Sequence, residues 1–82
     1  MINDEIIKSI HELINNGKIV RVINKKNKDD AVLWLSNDKK YISCRHLGQF
    51  AVKNTTSELK FLFDKLLETD DIDYRVSSSV YL

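Results

Sequence analysis

The fold of this chain is decided by the stretch Leu33-Trp34-Leu35-Ser36-Asn37-Asp38-Lys39-Lys40-Tyr41-Ile42-Ser43. Two apolar segments flank a polar connection typical of a tight turn, so the stretch predicts a β-hairpin. With either a two- or a four-residue loop, the alternation of a strand places one set of side chains on the same face: Trp34, Tyr41, Ser43 and Arg45. The other face receives Leu33, Leu35, Ile42 and Cys44. Because this second set is apolar, it predicts the core face, and the first set predicts the outer face of the sheet.

Helices are predicted on both sides of the hairpin. Asn3 caps the first helix, and Asn15-Asn16-Gly17 provides its left-handed exit. Its apolar stripe consists of Ile6, Ile7, Ile10, Leu13 and Ile14. Thr55-Thr56-Ser57-Glu58 matches a capping box and opens the second helix, which Thr69-Asp70-Asp71 ends. The apolar face of the second helix consists of Leu59, Leu62, Phe63, Leu66 and Leu67.

The remaining segments predict strands that complete the sheet. Residues 18–25 have Ile19, Arg21 and Ile23 on one face and Val20 and Val22 on the other, so the inward face of this strand stays open. Residues 50–52 predict either a short fourth strand or a buried loop, and residues 72–76 alternate like a strand. The order is α-β-β-β-(β)-α-β. It predicts a single α+β domain over residues 1–82, a two-layer sandwich with an antiparallel sheet of three to five strands and two helices on one face. The predicted core consists of Leu33, Leu35, Ile42, Leu62, Phe63 and Leu66 with Ile6, Ile10 and Leu13.

Composition limits the class of protein. A chain of 82 residues with 43% apolar and 30% charged residues forms one small core and has no cleft of enzyme size. A single cysteine excludes an internal disulfide and favours a reducing compartment. The first residues lack the basic and then apolar pattern of a signal peptide, and the longest apolar run, residues 31–35, is far too short to span a membrane. We therefore expect a cytoplasmic protein without membrane contact.

Charge is unevenly distributed along the sequence. Residues 18–53 carry nine Lys or Arg against three Asp and have a net charge of +6, whereas residues 1–17 and 54–82 have net charges of −2 and −3. Since the basic part is the predicted sheet and the acidic parts are mainly helical, the molecule is expected to offer one face to an anionic partner.

A partner-binding surface is predicted on the outer face and its loops. It consists of Trp34, Tyr41, Arg45 and Arg21 with Lys25, Lys26, Lys39 and Lys40. Aromatic rings among cations suit single-stranded nucleic acid, in which bases stack on the rings and phosphates meet the cations. Trp, Tyr and Arg also dominate the energetically important positions of protein interfaces. The simplest alternative is a solvated hairpin with one aromatic pair. The two lysine loops are expected at opposite ends of the middle strand, which argues against one compact phosphate site.

Catalysis and metal binding are not predicted. Cys44 lies on the core face, where a cysteine behaves as a small hydrophobic residue, and Cys44 with His46 makes only two of the four ligands of a zinc site. With Gly17 and Gly48 as the only glycines, a glycine-rich phosphate loop is excluded. We expect no cofactor and no enzymatic activity.

The opening Ile2-Asn3-Asp4, the hairpin of residues 33–43 and the following helix resemble the layout of small phage-encoded inhibitors, including some anti-CRISPR proteins. The resemblance covers about two thirds of the chain. Ile, Lys, Asn and Asp supply 34 of the 82 residues, a bias found in many phage and mobile-element genomes. The resemblance implies a non-enzymatic protein that occupies a surface of a larger protein, which itself handles nucleic acid. Several of these inhibitors are acidic and imitate nucleic acid. The better surface for such mimicry here is the acidic flank, which consists of Glu58, Asp64, Glu68, Asp70, Asp71 and Asp73.

Two alternatives to an inhibitor remain. One is a small regulator that binds RNA or single-stranded nucleic acid through the basic sheet face. The other is a structural homodimer, because only one face of the first strand enters the core. The other face of that strand is either covered by Val80-Tyr81-Leu82 or exposed for association.

Overall fold

Among the described residues, five strands and two helices follow one another in the predicted order, and the fourth strand is present. The computed structural model describes residues 3–66 and 71–80. The elements are α1 (Asp4–Asn15), β1 (Ile19–Asn24), β2 (Asp30–Leu35), β3 (Tyr41–Arg45), β4 (Gln49–Lys53), α2 (Thr56–Leu66) and β5 (Ile72–Ser77). The predicted α+β class and element order are confirmed. Among the described residues, no helix combines the length and the apolar character needed to cross a bilayer.

The strands form one antiparallel sheet in the order β4-β3-β2-β1-β5. The first four strands are a meander of hairpins, and β5 returns after α2 to pair with β1 at the far edge. In the central hairpin Trp34 lies opposite Ser43 and Leu35 opposite Ile42. The Ser36 N–H donates to the Tyr41 carbonyl at 3.0 Å, which closes a loop of four residues. Both faces of the hairpin therefore carry the predicted side chains.

Local signals at the helix ends also act as predicted. Asn3 Oδ1 accepts a hydrogen bond from the Glu5 N–H at 2.7 Å at the start of α1. Gly17 follows α1 with a φ of 84°, a left-handed conformation that favours glycine. At α2, Thr55 Oγ1 accepts from the Glu58 N–H at 3.1 Å, which is one half of the predicted capping box, and the Thr55 N–H donates to the Lys53 carbonyl at 2.8 Å in place of the reciprocal bond to Glu58. The predicted helix end at Thr69-Asp70 and the predicted apolar residue Leu67 lie outside the described residues.

The core lies between the helices and one face of the sheet. Of the predicted core residues, Leu33, Ile42, Leu62, Phe63 and Ile10 are buried in one cluster, and Ile6, Leu13 and Leu35 pack against it partly exposed. The side chain of Leu66 lies outside the described part of the structure. Val20 and Val22 are fully buried in the same cluster, so the face of β1 that carries them is the one that points to the core. The outer face of β1 therefore carries Ile19, Arg21 and Ile23.

Residues 50–52, which the sequence left as either a strand or a buried loop, form a strand. They belong to β4, which pairs with β3 from Tyr41 opposite Lys53 to Arg45 opposite Gln49. Ala51 is exposed on the outer face, which meets no further layer of the described chain. Phe50 lies on the core face, opposite Cys44, and is still 36% exposed because β4 is an edge strand. The fourth strand thus widens the sheet without adding a large part of the core.

The outer face of the sheet is partly covered from within the chain. Val32 points away from the core cluster yet is only 2% exposed. Its cross-strand neighbours are Arg21 and Arg45, whose aliphatic stems can cover apolar surface. Beyond β5, Ser77 Oγ donates to the Ser79 carbonyl at 2.8 Å, and Arg45 Nη1 donates to the Val80 carbonyl at 3.4 Å. The chain therefore turns onto the outer face after β5, which favours the covered alternative. Tyr81 and Leu82 lie outside the described residues.

Candidate functional site

The eight residues of the predicted binding surface fall into two groups at opposite ends of β2. Arg21, Arg45, Lys25 and Lys26 lie towards the β1–β2 loop. Trp34, Tyr41, Lys39 and Lys40 lie towards the β2–β3 turn. Trp34 is the residue of the second group nearest to the first, two positions along β2 from Val32. The predicted separation of the two lysine loops therefore follows from the strand order.

In the first group, both arginine side chains bond to other parts of the same chain. Arg21 Nε and Nη2 both approach Asp30 Oδ2, at 2.7 and 2.5 Å, and this arginine side chain is only 35% exposed. The guanidinium is thus neutralised by a neighbour on the same face. Arg45 holds the segment after β5 through the Val80 carbonyl. These two arginines attach parts of the fold to each other, which leaves their charge less available to a partner.

The loops beside these arginines are tied down as well. His46 Nε2 lies 2.8 Å from Asp29 Oδ2, and this contact joins the β3–β4 loop to the β1–β2 loop. The side chain of Asn24, which is buried, accepts from the Lys26 N–H at 2.9 Å. Lys25 Nζ is 3.8 Å from Asp71 Oδ1, and the backbone N–H of Lys25 donates to the Asp71 carbonyl at 3.0 Å. Most polar side chains at the β1–β2 loop end of the sheet are therefore already bonded within the chain.

The second group, together with Lys53 of β4, combines two aromatic rings with three lysines that have no carboxylate partner among the described residues. We call it the aromatic–lysine surface: Trp34, Lys39, Lys40, Tyr41 and Lys53. Tyr41 is 44% exposed on the outer face and lies directly opposite Lys53 of β4, while Trp34 is partly exposed on the neighbouring strand. No described carboxylate lies within 4 Å of the ammonium group of Lys39, Lys40 or Lys53. Their charges are therefore available to a ligand.

Lys53 is the residue of this surface that sequence reasoning missed. Its position depends on the pairing of β4 with β3, and the sequence left open whether residues 50–52 form a strand. The signal was present in the alternation from Gln49 to Lys53, which places Gln49, Ala51 and Lys53 on one face. Treating that alternation as a strand paired to β3 would have placed Lys53 beside Tyr41.

The turn that carries the aromatic–lysine surface is extensively hydrogen-bonded. Asp38 Oδ1 accepts from Ser36 Oγ at 2.7 Å and from the Lys40 N–H at 3.0 Å. Ser36 Oγ in turn accepts from the Tyr41 N–H at 3.1 Å. Lys39 adopts a φ of 64°, a left-handed conformation that these bonds hold in place. The turn therefore presents Lys39, Lys40 and Tyr41 in one defined arrangement.

Asn54 fastens this turn to the helical layer. Its Nδ2 donates to the Lys39 carbonyl at 3.0 Å and to Asn15 Oδ1 at 2.7 Å, and its N–H donates to the Lys40 carbonyl at 3.0 Å. Asn54 Oδ1 lies 2.8 Å from His11 Nε2 and accepts from Asn15 Nδ2 at 3.1 Å. Asn54, which lies between β4 and α2, thus joins α1 to the β2–β3 turn through its amide side chain. A partner that binds this turn meets a preorganised surface, which lowers the entropy cost of binding.

Acid is expected to loosen the turn through Asp38. The hydrogen bond from the Ser36 hydroxyl, and then that from the Lys40 N–H, lower the pKa of Asp38 below its ordinary value of 3.8. Because the folded-state pKa is depressed, the stabilisation is present above pH 3.8 and is lost as the pH falls through the lower folded value. We expect a carboxyl titration midpoint below 3.8, followed by NMR. Ser36→Ala should move the midpoint back towards 3.8, and a wild-type midpoint at or above 3.8 would show that these bonds are not formed.

The groups with catalytic or metal-binding chemistry are not assembled into a site. Cys44 is fully buried, and burial raises the pKa of its thiol to about 12, so the thiolate that a nucleophile or a metal needs is disfavoured. His46 contacts Asp29 rather than Cys44. Within residues 3–66 and 71–80, no three side chains of His, Cys, Asp or Glu are grouped so as to hold a metal ion.

Two described residues of the acidic flank lie beside basic side chains. Asp71 lies beside Lys25, and Asp73 lies 3.9 Å from Arg75, so part of its charge is balanced. Glu68 and Asp70 lie outside the described residues. A groove of about 570 Å³ runs between α1 and α2, and the ion pair between Lys60 and Asp4, at 2.7 Å, lies on its wall. Its remaining charged lining mixes Lys8 with Glu12, which favours no single sign of ligand.

Comparison with known proteins does not assign a function to these surfaces. The chain matches no protein-family model, no curated protein and no solved structure. The function must therefore be inferred from the surfaces themselves, of which the aromatic–lysine surface is the best defined.

Proposed function

We propose that this protein is a non-enzymatic binding protein that occupies a surface of a larger protein through its aromatic–lysine surface. The observation that carries the proposal is the exposed ring of Tyr41, held on a rigid turn beside Trp34 and next to lysines without a described carboxylate partner. Tyrosine and tryptophan supply large contact areas at low entropy cost and dominate the binding energy of protein interfaces. The lysines suit an acidic rim around the pocket that receives the ring.

The charge of the aromatic–lysine surface also indicates what kind of partner it binds. Because the surface is basic, the partner contributes an acidic patch, and this face of the protein does not imitate nucleic acid. The layout resembles that of small phage-encoded inhibitors such as anti-CRISPR proteins, and the coding bias fits a phage or mobile element. We therefore propose an inhibitor from such a source, acting in the cytoplasm on a protein that itself handles nucleic acid.

A non-enzymatic role is part of the proposal. The support for it is the burial of Cys44 with its raised thiol pKa and the use of His46 to join two loops. The charged side chains near Arg21 likewise bond to each other. These groups serve the fold, so the surface is left to act by contact.

Binding of single-stranded nucleic acid is the second candidate, and one observation favours it. Lys53 lies opposite the exposed ring of Tyr41, on which a base can stack, and Lys39 and Lys40 precede Tyr41 in the turn, so all three can offer their charge to phosphates. Arg21 adds little to such a site, since Asp30 neutralises it. A site with about three phosphate contacts binds weakly at physiological salt, which is why we place this function second.

Photo-crosslinking in the native host tests the proposal. A photoreactive residue is placed at Lys40, at the rim of the surface, and a matched one at Lys65 on the helical side. We expect a discrete protein adduct from position 40 that is absent from position 65. Adducts to RNA or DNA at position 40 would favour the second candidate, and equal adducts from both positions would contradict a specific surface.

Salt dependence then separates the two candidates with purified components. For three phosphate contacts with a single strand, the affinity is expected to fall about 20-fold between 50 and 200 mM salt. Binding to a protein through a desolvated ring should change far less over this range. The affinities for an oligonucleotide and for the crosslinked protein are measured by anisotropy and calorimetry. Tight oligonucleotide binding at physiological salt, lost on replacing Lys39, Lys40 and Lys53 by glutamine, would overturn the first choice.

A further inference from the structure

The β5 strand forms one edge of the sheet and has an outward row of backbone groups. On its inner side, the Lys25 N–H donates to the Asp71 carbonyl, which continues the ladder with β1. Backbone groups of a strand point alternately to its two sides, so the groups of Ile72, Tyr74 and Val76 point away from β1. In the described chain, no strand pairs with this outward side. The Tyr74 N–H accordingly finds its acceptor locally, in Asp73 Oδ1 at 2.9 Å.

The side chains of this edge are complementary to a second copy of themselves. If two β5 strands pair antiparallel about a two-fold axis at Tyr74, Asp73 lies directly opposite the partner's Arg75 on the outer face. Symmetry repeats this pair on the other side of the axis. On the core face, Tyr74 meets its own copy and Val76 meets the partner's Ile72. Opposite charges and aromatic or β-branched residues are favourable cross-strand pairs.

Exposure of these residues agrees with such a pairing. Val76 is 53% exposed although it lies on the core face of the sheet, opposite Val20. The side chains of Asp73 and Arg75 are 55% and 61% exposed, and their contact within the chain is a long one of 3.9 Å. Pairing would cover Val76, give each carboxylate a guanidinium directly across the strand, and let Tyr74 N–H donate to a backbone carbonyl.

The opposite edge lacks this complementarity. A two-fold pairing of β4 about Ala51 would place Gln49 opposite the partner's Lys53, which has no charge to balance the ammonium group. Lysine on an edge strand discourages pairing with another chain. The two edges of the sheet therefore differ, and only β5 carries the self-complementary pattern.

We propose that the protein forms a homodimer through β5, with a continuous sheet of ten strands. This interface differs from association through the outer face of β1, which the segment after β5 partly covers. It lies three strand spacings, about 14 Å, from β3 and Tyr41. The dimer therefore leaves the aromatic–lysine surface open, and it stands or fails independently of the proposed function.

A charge exchange tests the dimer. Sedimentation equilibrium from low to high micromolar concentration should show a monomer–dimer equilibrium for the unmodified chain. Arg75→Asp and Asp73→Arg should each raise the dissociation constant about tenfold or more, because two like-charged pairs replace two opposite ones. The double variant Asp73→Arg with Arg75→Asp should restore it. Gln49→Lys, an exposed position on the outer face of the other edge strand, is the matched charge-changing control and should leave the dissociation constant unchanged, with circular dichroism to verify the fold.

Amide hydrogen exchange gives a second readout that does not depend on a variant. The Tyr74 amide should become more protected as the protein concentration rises, whereas the Ala51 amide on the other edge should not. A monomer at high micromolar concentration, or a double variant that fails to restore association, would overturn the proposal. So would tighter association of Asp73→Asn, since that result would show that Asp73 protects the edge by occupying the Tyr74 N–H.

Discussion

Replacing Phe63 by alanine is expected to lower the free energy of unfolding by about 3–5 kcal/mol, the usual cost of removing a buried phenylalanine. Phe63 is fully buried on α2 and belongs to the single core cluster. A domain of 82 residues has a total stability of about 4–12 kcal/mol. The variant should therefore lose much of its cooperative unfolding transition at room temperature. Chemical denaturation followed by circular dichroism measures the change.

Phe61 provides the matched control, two positions earlier on the same helix. Its ring is 59% exposed, and its described ring contact is with the ammonium of Lys65, 5.6 Å from the ring centroid. Such an exposed contact is worth about 0.5–1 kcal/mol, so Phe61→Ala should cost no more than that. Equal losses for the two variants would mean that α2 does not present Phe63 to the core. A loss below about 1 kcal/mol for Phe63→Ala would contradict the packing outright.

The parts of the fold that were predictable are those with strong local signals. The central hairpin has an apolar face and a polar face, and a slip of β3 by one residue would bury Ser43 and Arg45 in place of Ile42 and Cys44. The caps at Asn3 and Thr55 satisfy helix N–H groups with side chains close in sequence. Each of these features is decided within a few residues, so the sequence alone determines it.

The orientation of β1 was not predictable, because both of its faces are partly apolar. Val20 and Val22 are buried only because β1 lies between β2 and β5, with α1 above its core face. That position depends on the pairing of residues nearly sixty apart, such as Ile19 with Ser77. Long-range pairing of this kind is invisible in a pattern read over a short window.

The candidate site was predicted in its rings and only partly in its charges. Tyr41 and Trp34 lie on the outer face, as the hairpin pattern required. Which cations stay unpaired could not be decided from the residue pattern, because the partner of Arg21 is Asp30, across the β1–β2 hairpin. Lys53 joins the surface through the β3–β4 pairing. Net charge along the chain therefore located a basic face, while the pattern of ion pairs decides which end of that face can bind.

Replacing Tyr41 by alanine is expected to weaken partner binding about 30-fold or more, because a central aromatic residue of an interface is worth about 2 kcal/mol or more. Adding Trp34→Ala should bring the total loss to about 10³-fold where the two effects add. The single tryptophan of the chain also reports binding, because its fluorescence changes when a partner covers it. Titration calorimetry with the crosslinked partner measures both variants.

Three comparisons make this result specific to the surface. Tyr41→Phe keeps the ring and should retain most of the affinity, whereas Phe61→Ala removes an exposed ring of similar size from the helical side and should leave binding unchanged. Circular dichroism must show a native fold for every variant, above all for those that lack Trp34, which is partly buried. A Tyr41→Ala protein that folds and binds its partner as tightly as the unmodified chain would remove Tyr41 from the interface. Binding lost on Phe61→Ala instead would transfer the interface to α2, because only a contact on that helix would depend on the Phe61 ring.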